Sequence, residues 1–242
     1  MQVSDDIRLG PVNLPNNINA GPSPMELGVG PMGRVYVFDV VPVTANTAGI
    51  AASQTPGAAG NLTLTAGTGA TAATRGDGTS AIALDTPRCV TVTAAGANTA
   101  TFTIYGFDQY GQAMSQLIAA PSTSTVATTK AFAQVTRIAI SGAAGSAITA
   151  GFNDKLGLPF RVTDAGYVAG VKWAGAFATD AGTFVAADTT SPATTSTTDV
   201  RGCYTPSSAS NGARRLVMLI ALAGIAAGPN ATRLGAGGVD QV

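Results

Sequence analysis

The sequence predicts an all-β chain: an antiparallel β-sandwich or jelly-roll-like domain with extended N-terminal and C-terminal arms. Three observations predict it. Short apolar segments rich in Val, Ile, Thr and aromatic residues recur every 8–12 residues or so, divided by Gly and Pro. Helical periodicity is nearly absent, a turn at 128–132 being the main candidate. Both ends of the chain are rich in residues that interrupt regular structure.

Residues 1–33 form the first region. Pro11, Pro15, Pro22, Pro24 and Pro31 remove backbone donors and fix φ, so no helix or interior strand fits there. Leu9, Val12, Leu14, Ile18, Met25 and Leu27 are spaced along it as apolar hooks for a neighbouring surface. An arm and an unstructured leader both satisfy this composition. The body is expected over 34–223, with a sub-boundary near 160, and a Gly-rich tail over 224–242.

Within the body, 34–41 alternates Val35, Val37 and Asp39 with Tyr36, Phe38 and Val40 and stops at Pro42, which predicts a strand. The Ala, Thr and Gly-rich stretch 44–78 holds one β segment at 61–66. It lacks the net charge of a disordered segment, so short strands joined by small-residue loops are expected. Strands follow at 81–84, 88–93 and 100–105. Gly96, Ala97 and Asn98 have hairpin-turn composition, so these three are expected to form an antiparallel meander. Further strands are expected at 115–119, 135–140, 147–152, 160–163, 167–173, 183–187 and 214–222. The tetrapeptide Thr-Asp-Ala-Gly precedes two of them, at 163–166 and 179–182. Asp bonds the backbone two residues on and Gly tolerates positive φ, so two similar tight turns are expected. One carboxylate per copy is too few for a calcium loop.

Charged residues make up 11% of the chain against about 25% in typical domains, and the net charge is zero. A surface with so little self-repulsion favours association, so a homo-oligomer is expected. Only Arg214 and Arg215 are adjacent, and Lys130, Lys155 and Lys172 are scattered. No direct nucleic-acid partner is expected, because counterion release needs clustered cations. The apolar run 216–227 is shorter than the ~20 residues of a bilayer helix and contains Gly224, so no membrane partner is expected. The opening Met-Gln-Val-Ser-Asp-Asp lacks the basic and apolar regions of an export signal. Cys89 and Cys203 make neither a disulfide framework nor a metal or redox motif. Two buried thiols are expected, a bridge only if the fold brings them together.

The chain has no histidine, which removes Ser-His-Asp and Cys-His catalysis, the HExxH zinc helix and imidazole acid–base chemistry. Asp108, Asp154, Asp164 and Asp180 are the carboxylates available for glycosidase chemistry, but each lies in turn-like sequence, where Asp serves as a local acceptor. The segment 67–70 has the glycines of a phosphate loop without the Lys-Ser/Thr pair or a following helix. Arg75-Gly76-Asp77 and the sequons at Asn61 and Asn230 are expected to be chance matches. No enzymatic activity, metal or cofactor is expected.

A series of phrases carries a family likeness. Residues 50–64 (IAASQTPGAAGNLTL) are followed by 84–92 (LDTPRCVTV), then by 102–112 (FTIYGFDQYGQ) before Met114-Ser115-Gln116. Lys130-Ala131-Phe132, 135–140 and Gly157-Leu158-Pro159-Phe160 complete it. In this order the phrases resemble virion structural proteins of tailed bacteriophages, minor structural or capsid-decorating in type. In the central phrase, Gly106 and Gly111 are expected to permit a reversal that Asp108 caps, with Phe107 and Tyr110 on either side. The resemblance implies a capsid decoration or cement protein located in the virion and assembled in the host cytoplasm. Its partners would be the major capsid protein or other virion proteins. A tail, neck or baseplate component shares the same features. A carbohydrate-binding module stacking sugars on Tyr167, Trp173 and Phe177 is the alternative from another class.

Overall fold

The computed structural model describes residues 35–176, 178–188 and 199–221. The expected arm and tail, with Leu9, Val12, Leu14, Ile18, Met25 and Leu27, lie outside the described residues, as does Phe177. The fold is all-β, with curled antiparallel sheets in a half-barrel, sandwich-like arrangement.

Thirteen strands are present among the described residues: β1 Val35–Val40, β2 Asn46–Gln54, β3 Gly60–Asn61, β4 Ala70–Thr74, β5 Ser80–Ala94, β6 Phe102–Phe107, β7 Ala113–Ile118, β8 Thr125–Ile140, β9 Ile148–Gly157, β10 Val168–Trp173, β11 Thr183–Val185, β12 Cys203–Thr205 and β13 Leu216–Ala221. They form two sheets. The larger runs β11-β12-β9-β5-β8-β6-β7, with β2 on β9, β3 on β8 and β4 on β5; the smaller runs β1-β13-β10. The chain leaves the large sheet near residue 160 for β10, returns for β11 and β12, and leaves again for β13. Neither sheet is a continuous stretch of sequence.

The large sheet curls around an apolar core of Ile50, Val90, Val92, Phe102, Ile104, Phe132, Ile138 and Phe152, all sealed from solvent. Each such side chain contributes about 1.5–3 kcal/mol by leaving water. A second core joins the sheets. Leu156, Leu158 and Val162 from the large-sheet side pack with Val171, Trp173, Leu216, Met218 and Ile220.

Several local expectations fail. The candidate helical turn at 128–132 is the middle of β8, where the Gln116 side chain accepts from the Thr129 and Lys130 amides and Thr128 Oγ1 accepts from Val90 N. Partners distant in sequence supply its bonds, and no local helical ladder forms. The meander also fails, because β8 lies between β5 and β6. The turn at Gly96–Asn98 spans the end of the sheet instead. Ala95 N donates to Ala147 O and Gly96 N to Ser146 Oγ, which ties the turn to the β8–β9 connection. Segments 81–84 and 88–93 are one bulged strand, β5. The expected strand at 160–163 is irregular, following a proline that has no amide to donate. The β segment at 61–66 pairs regularly only at Gly60–Asn61.

Candidate interaction site

The small sheet is built from strands that are apolar on both faces. On the inner face Tyr36, Phe38 and Val40 of β1 and Leu216, Met218 and Ile220 of β13 pack into the second core. Strand alternation therefore turns Val35, Val37 and Asp39 outward, together with Val217 and Leu219. Val37 and Leu219 are cross-strand partners and remain 62% and 40% exposed. On the other side of Leu219 the partner is Gly170, where a Cβ would meet nothing within 4 Å. Among the described residues, Val37, Leu219 and Gly170 thus form an uncovered row across the three strands.

In the next row two charged residues, Asp39 and Lys172, flank Val217. Arg215 holds Asp39 in a bidentate pair, with Nε 2.6 Å from Oδ1 and Nη2 on Oδ2. That bonding keeps the Asp39 carboxyl below its ordinary pKa. An apolar centre beside a charged rim is the layout of an interface. Of the other large exposed apolar groups, Val41 directly follows β1 and the remaining two lie on the large-sheet side. Leu117 stands alone on the edge strand β7, and Tyr110 is engaged, donating its hydroxyl to Pro159 O at 2.8 Å. Scattered apolar groups are normal on any surface.

The first and last described residues meet at this sheet. Val35, where the described chain begins, pairs with Ala221, where it ends.

The carboxylates considered for catalysis do not converge on one another; each has its own partner. Asp108 accepts from Tyr110 N and Gln112 N, both at 2.8 Å, and pairs with Arg201 Nη1 at 2.8 Å. Asp154 takes Arg88 and the Ser210 hydroxyl. Asp164 accepts from Gly166 N at 2.6 Å, as its tight turn requires. Asp180, in the second copy of the tetrapeptide, also binds the hydroxyls of Tyr204 and Ser207. Burial works against its charge, but these bonds outweigh it and lower its pKa.

The central phrase folds as a hairpin, with β6 and β7 paired over six positions. Asp108 caps the reversal and Gly111 sits there at φ +80. Gly106 is not in the turn. It lies inside β6, where a Cβ would overlap the Gln134 carbonyl of β8. Arg75 of the Arg-Gly-Asp tripeptide folds back, 3.3 Å over the Phe107 ring and 2.6 Å from Gln134 Oε1. The glycines at 67 and 69 lead into β4 rather than a helix. Trp173 is buried and donates Nε1–H to Ser208 Oγ at 2.9 Å, so its ring presents no stacking face.

Two open cavities lie on the large sheet. One, about 460 Å³, is the wedge where β5 parts from β8, lined by Leu62, Leu64, Ile82 and Thr136 among others. The second, about 410 Å³, is lined by Arg75, Asp85, Thr86, Asp108, Gln109 and Gln134 among others. Both have the size of small-ligand pockets. In the second, each charged group is already matched: Arg75 by Gln134 and Asp77, Asp85 by Arg88, Asp108 by Arg201. Among the described residues no three His, Cys, Asp or Glu side chains gather as a metal site, and no helix is long and apolar enough to cross a membrane.

The buried charges escaped the sequence reading. Arg88, Lys130 and Arg201 are all sealed from solvent. Burial pushes the Lys130 ammonium down in pKa, while Asp199 and Asp188 act in the opposite direction. The outward Val37–Leu219 pair had a readable signal, since both strands are apolar at odd and even positions alike. Compared with known proteins, the chain matches no family model, no curated protein and no solved structure.

Proposed function

We propose that this chain is a structural component of a tailed-phage particle, a decoration or cement protein that stabilises the shell by linking its own copies across it. The observation that carries this reading is the Val37–Leu219–Gly170 row on the small sheet, uncovered among the described residues, with Val35 and Ala221 paired at the end of the same sheet. The phrase order of the sequence, the low charge content and the missing histidine agree with a protein that works by contact.

The occupant of the face is the N-terminal segment of a sister copy. That segment offers Leu9, Val12, Leu14, Ile18, Met25 and Leu27, and its prolines favour extended backbone over helix. Burying apolar side chains at about 25 cal/mol per Å² gives such an exchange its stability, and the near absence of charge removes the opposing repulsion.

The test uses the full chain. It should form a defined oligomer and bind empty phage shells, and Val37→Asp with Leu219→Asp should abolish both while leaving Tm unchanged. Deleting residues 1–33 should have the same effect. A monomer that ignores shells and turns over a small metabolite would overthrow the reading. Localisation by cryo-EM separates the two particle sites: high copy number on the shell supports a decorator, and a few copies at one vertex would move the protein to the neck or tail.

A further inference from the structure

Cys89 and Cys203 are far apart in sequence, on β5 and β12, with β9 between those strands in the sheet. Side chains two strands apart in a flat sheet stand about 9–10 Å apart, too far for covalent contact. Here the sheet is pinched. A Cβ on Gly157 of β9 would lie 2.5 Å from the Ala131 Cβ of β8, although β5 runs between those two strands. Gly157 is also the register partner of Cys203, and Ala131 that of Cys89. With no side chain at 157, the two cysteines close over it and form a small cluster of their own with Ala131.

The sulfurs converge on a single atom. Cys89 Sγ lies 3.6 Å and Cys203 Sγ 3.9 Å from the Thr129 carbonyl oxygen, and both residues are fully buried. Both thiols are free.

We propose that Cys89 and Cys203 form an intramolecular cross-linking site, closed to a disulfide when the protein meets a low-molecular-weight disulfide oxidant. The Cys203 thiolate attacks the oxidant, making a mixed disulfide and expelling one thiolate. Cys89 sulfur then attacks Cys203 Sγ, the protein S–S bond forms and the second thiolate leaves. The two protons lost by the cysteines end on the two expelled thiolates, and two electrons pass from protein to oxidant.

The order of attack follows from the surroundings. The Cys203 side chain, followed by burial, pushes the Cys89 thiol well above its ordinary pKa, which makes it a poor first nucleophile. Cys203 stands on a three-residue strand held by three register pairs to the edge strand β11 and two to β9. Local opening of that short edge exposes Cys203 first, so oxidation is slow and limited by opening. Once made, the bond joins β5 to β12 and closes a loop of about 100 residues or more, a length at which cross-linking strongly constrains the unfolded chain.

The inference stands apart from the proposed function and is tested on the purified monomeric or oligomeric chain alike. Reduced protein is incubated with oxidised glutathione and followed by intact mass, thiol titration after unfolding and non-reducing peptide mapping. The expected result is a loss of about 2 Da, no titratable thiol, one linked peptide pair containing Cys89 and Cys203, and a Tm raised by about 5 °C or more. Cys89→Ser and Cys203→Ser should each abolish the mass loss and the Tm gain. Two thiols still titrating after prolonged incubation, glutathione adducts that persist, or chains linked to one another would overturn the proposal.

Discussion

Two buried arginines, alike in chemistry, are treated differently by the fold. Arg88 is saturated. Its Nε and Nη2 grip Asp85 at 2.9 and 2.7 Å, Nη2 also donates to Val43 O at 2.8 Å, and Nη1 faces Asn153 O and Asp154, each at 3.4 Å. Ser210 then bonds both Asp154 and Val43 O. One guanidinium thereby ties β5, β9, the β1–β2 connection and the segment before β13, which are the pieces that set the small sheet against the large one. Arg201 has Asp108 at 2.8 Å and the Tyr110 ring at 4.8 Å, while Nε and Nη2 have no hydrogen-bond partner among the described residues. The first arginine is a junction of four segments, and the second is a strut between a hairpin turn and one loop. The difference shows that burial alone does not measure a charge's structural role; the number of segments converging on it does.

The sharpest way to break the comparison is Arg88→Met. It leaves Asp85 and Asp154 without their cation and costs about 3–5 kcal/mol, the usual penalty for removing one member of a buried pair. Thermal unfolding should show Tm falling by roughly 10 °C. Because the small sheet loses its anchor, amide exchange in β1 and β13 should accelerate more than in β6 and β7. Equal acceleration everywhere would mean that Arg88 is not a junction.

A smaller loss follows at the strut. Asp108→Asn keeps an acceptor for the Tyr110 and Gln112 amides but leaves Arg201 unbalanced, at a cost of about 2–3 kcal/mol. Arg201 brings idle donors with it, so adding Arg201→Met should return most of that loss, to within about 1 kcal/mol of the wild type by urea unfolding. Absence of recovery in the double variant would make the second arginine as deeply integrated as the first.

The sequence reveals much of the hairpin and little of the junction, for one physical reason. Asp108 and Gly111 act on amides two to four residues away, so the turn is written locally. The partner of a strand edge is not. Nothing within 88–105 says that β8 will insert between β5 and β6, because that choice is settled by β8's own pairing over its 16 residues. The 128–132 misreading has the same origin, since Gln116 and Val90 supply bonds that a local window cannot see. Arg88 did leave a trace. The Cys89-Val90-Thr91-Val92 run is buried continuously rather than alternately, the mark of a strand covered on both faces, and a charge adjoining such a run has no open side. The small sheet carries a similar trace: Val and Leu stand at outward positions of β1 and β13 as well as inward ones, yet among the described residues only the inward face is covered.

Asp180 calibrates the lower end of the scale. Like the two arginines it bridges segments, joining the turn before β11 to Tyr204 of β12 and to Ser207, but it is only partly buried. Its burial opposes ionisation and its hydrogen bonds favour it, with a net lowering of the pKa. A carboxylate with a folded pKa below its unfolded one binds fewer protons when folded. It therefore stabilises the protein above an unfolded pKa near 4, and that gain is lost as pH falls through the depressed folded value. Asp180→Asn should thus cost about 1 kcal/mol or less at pH 7, because water competes for a partly exposed group. The gap between variant and wild type should close as urea titrations are taken from pH 7 toward pH 3. A gap that widens on acidification would reverse the sign, and would mean that Tyr204 and Ser207 hold the protonated acid rather than the carboxylate.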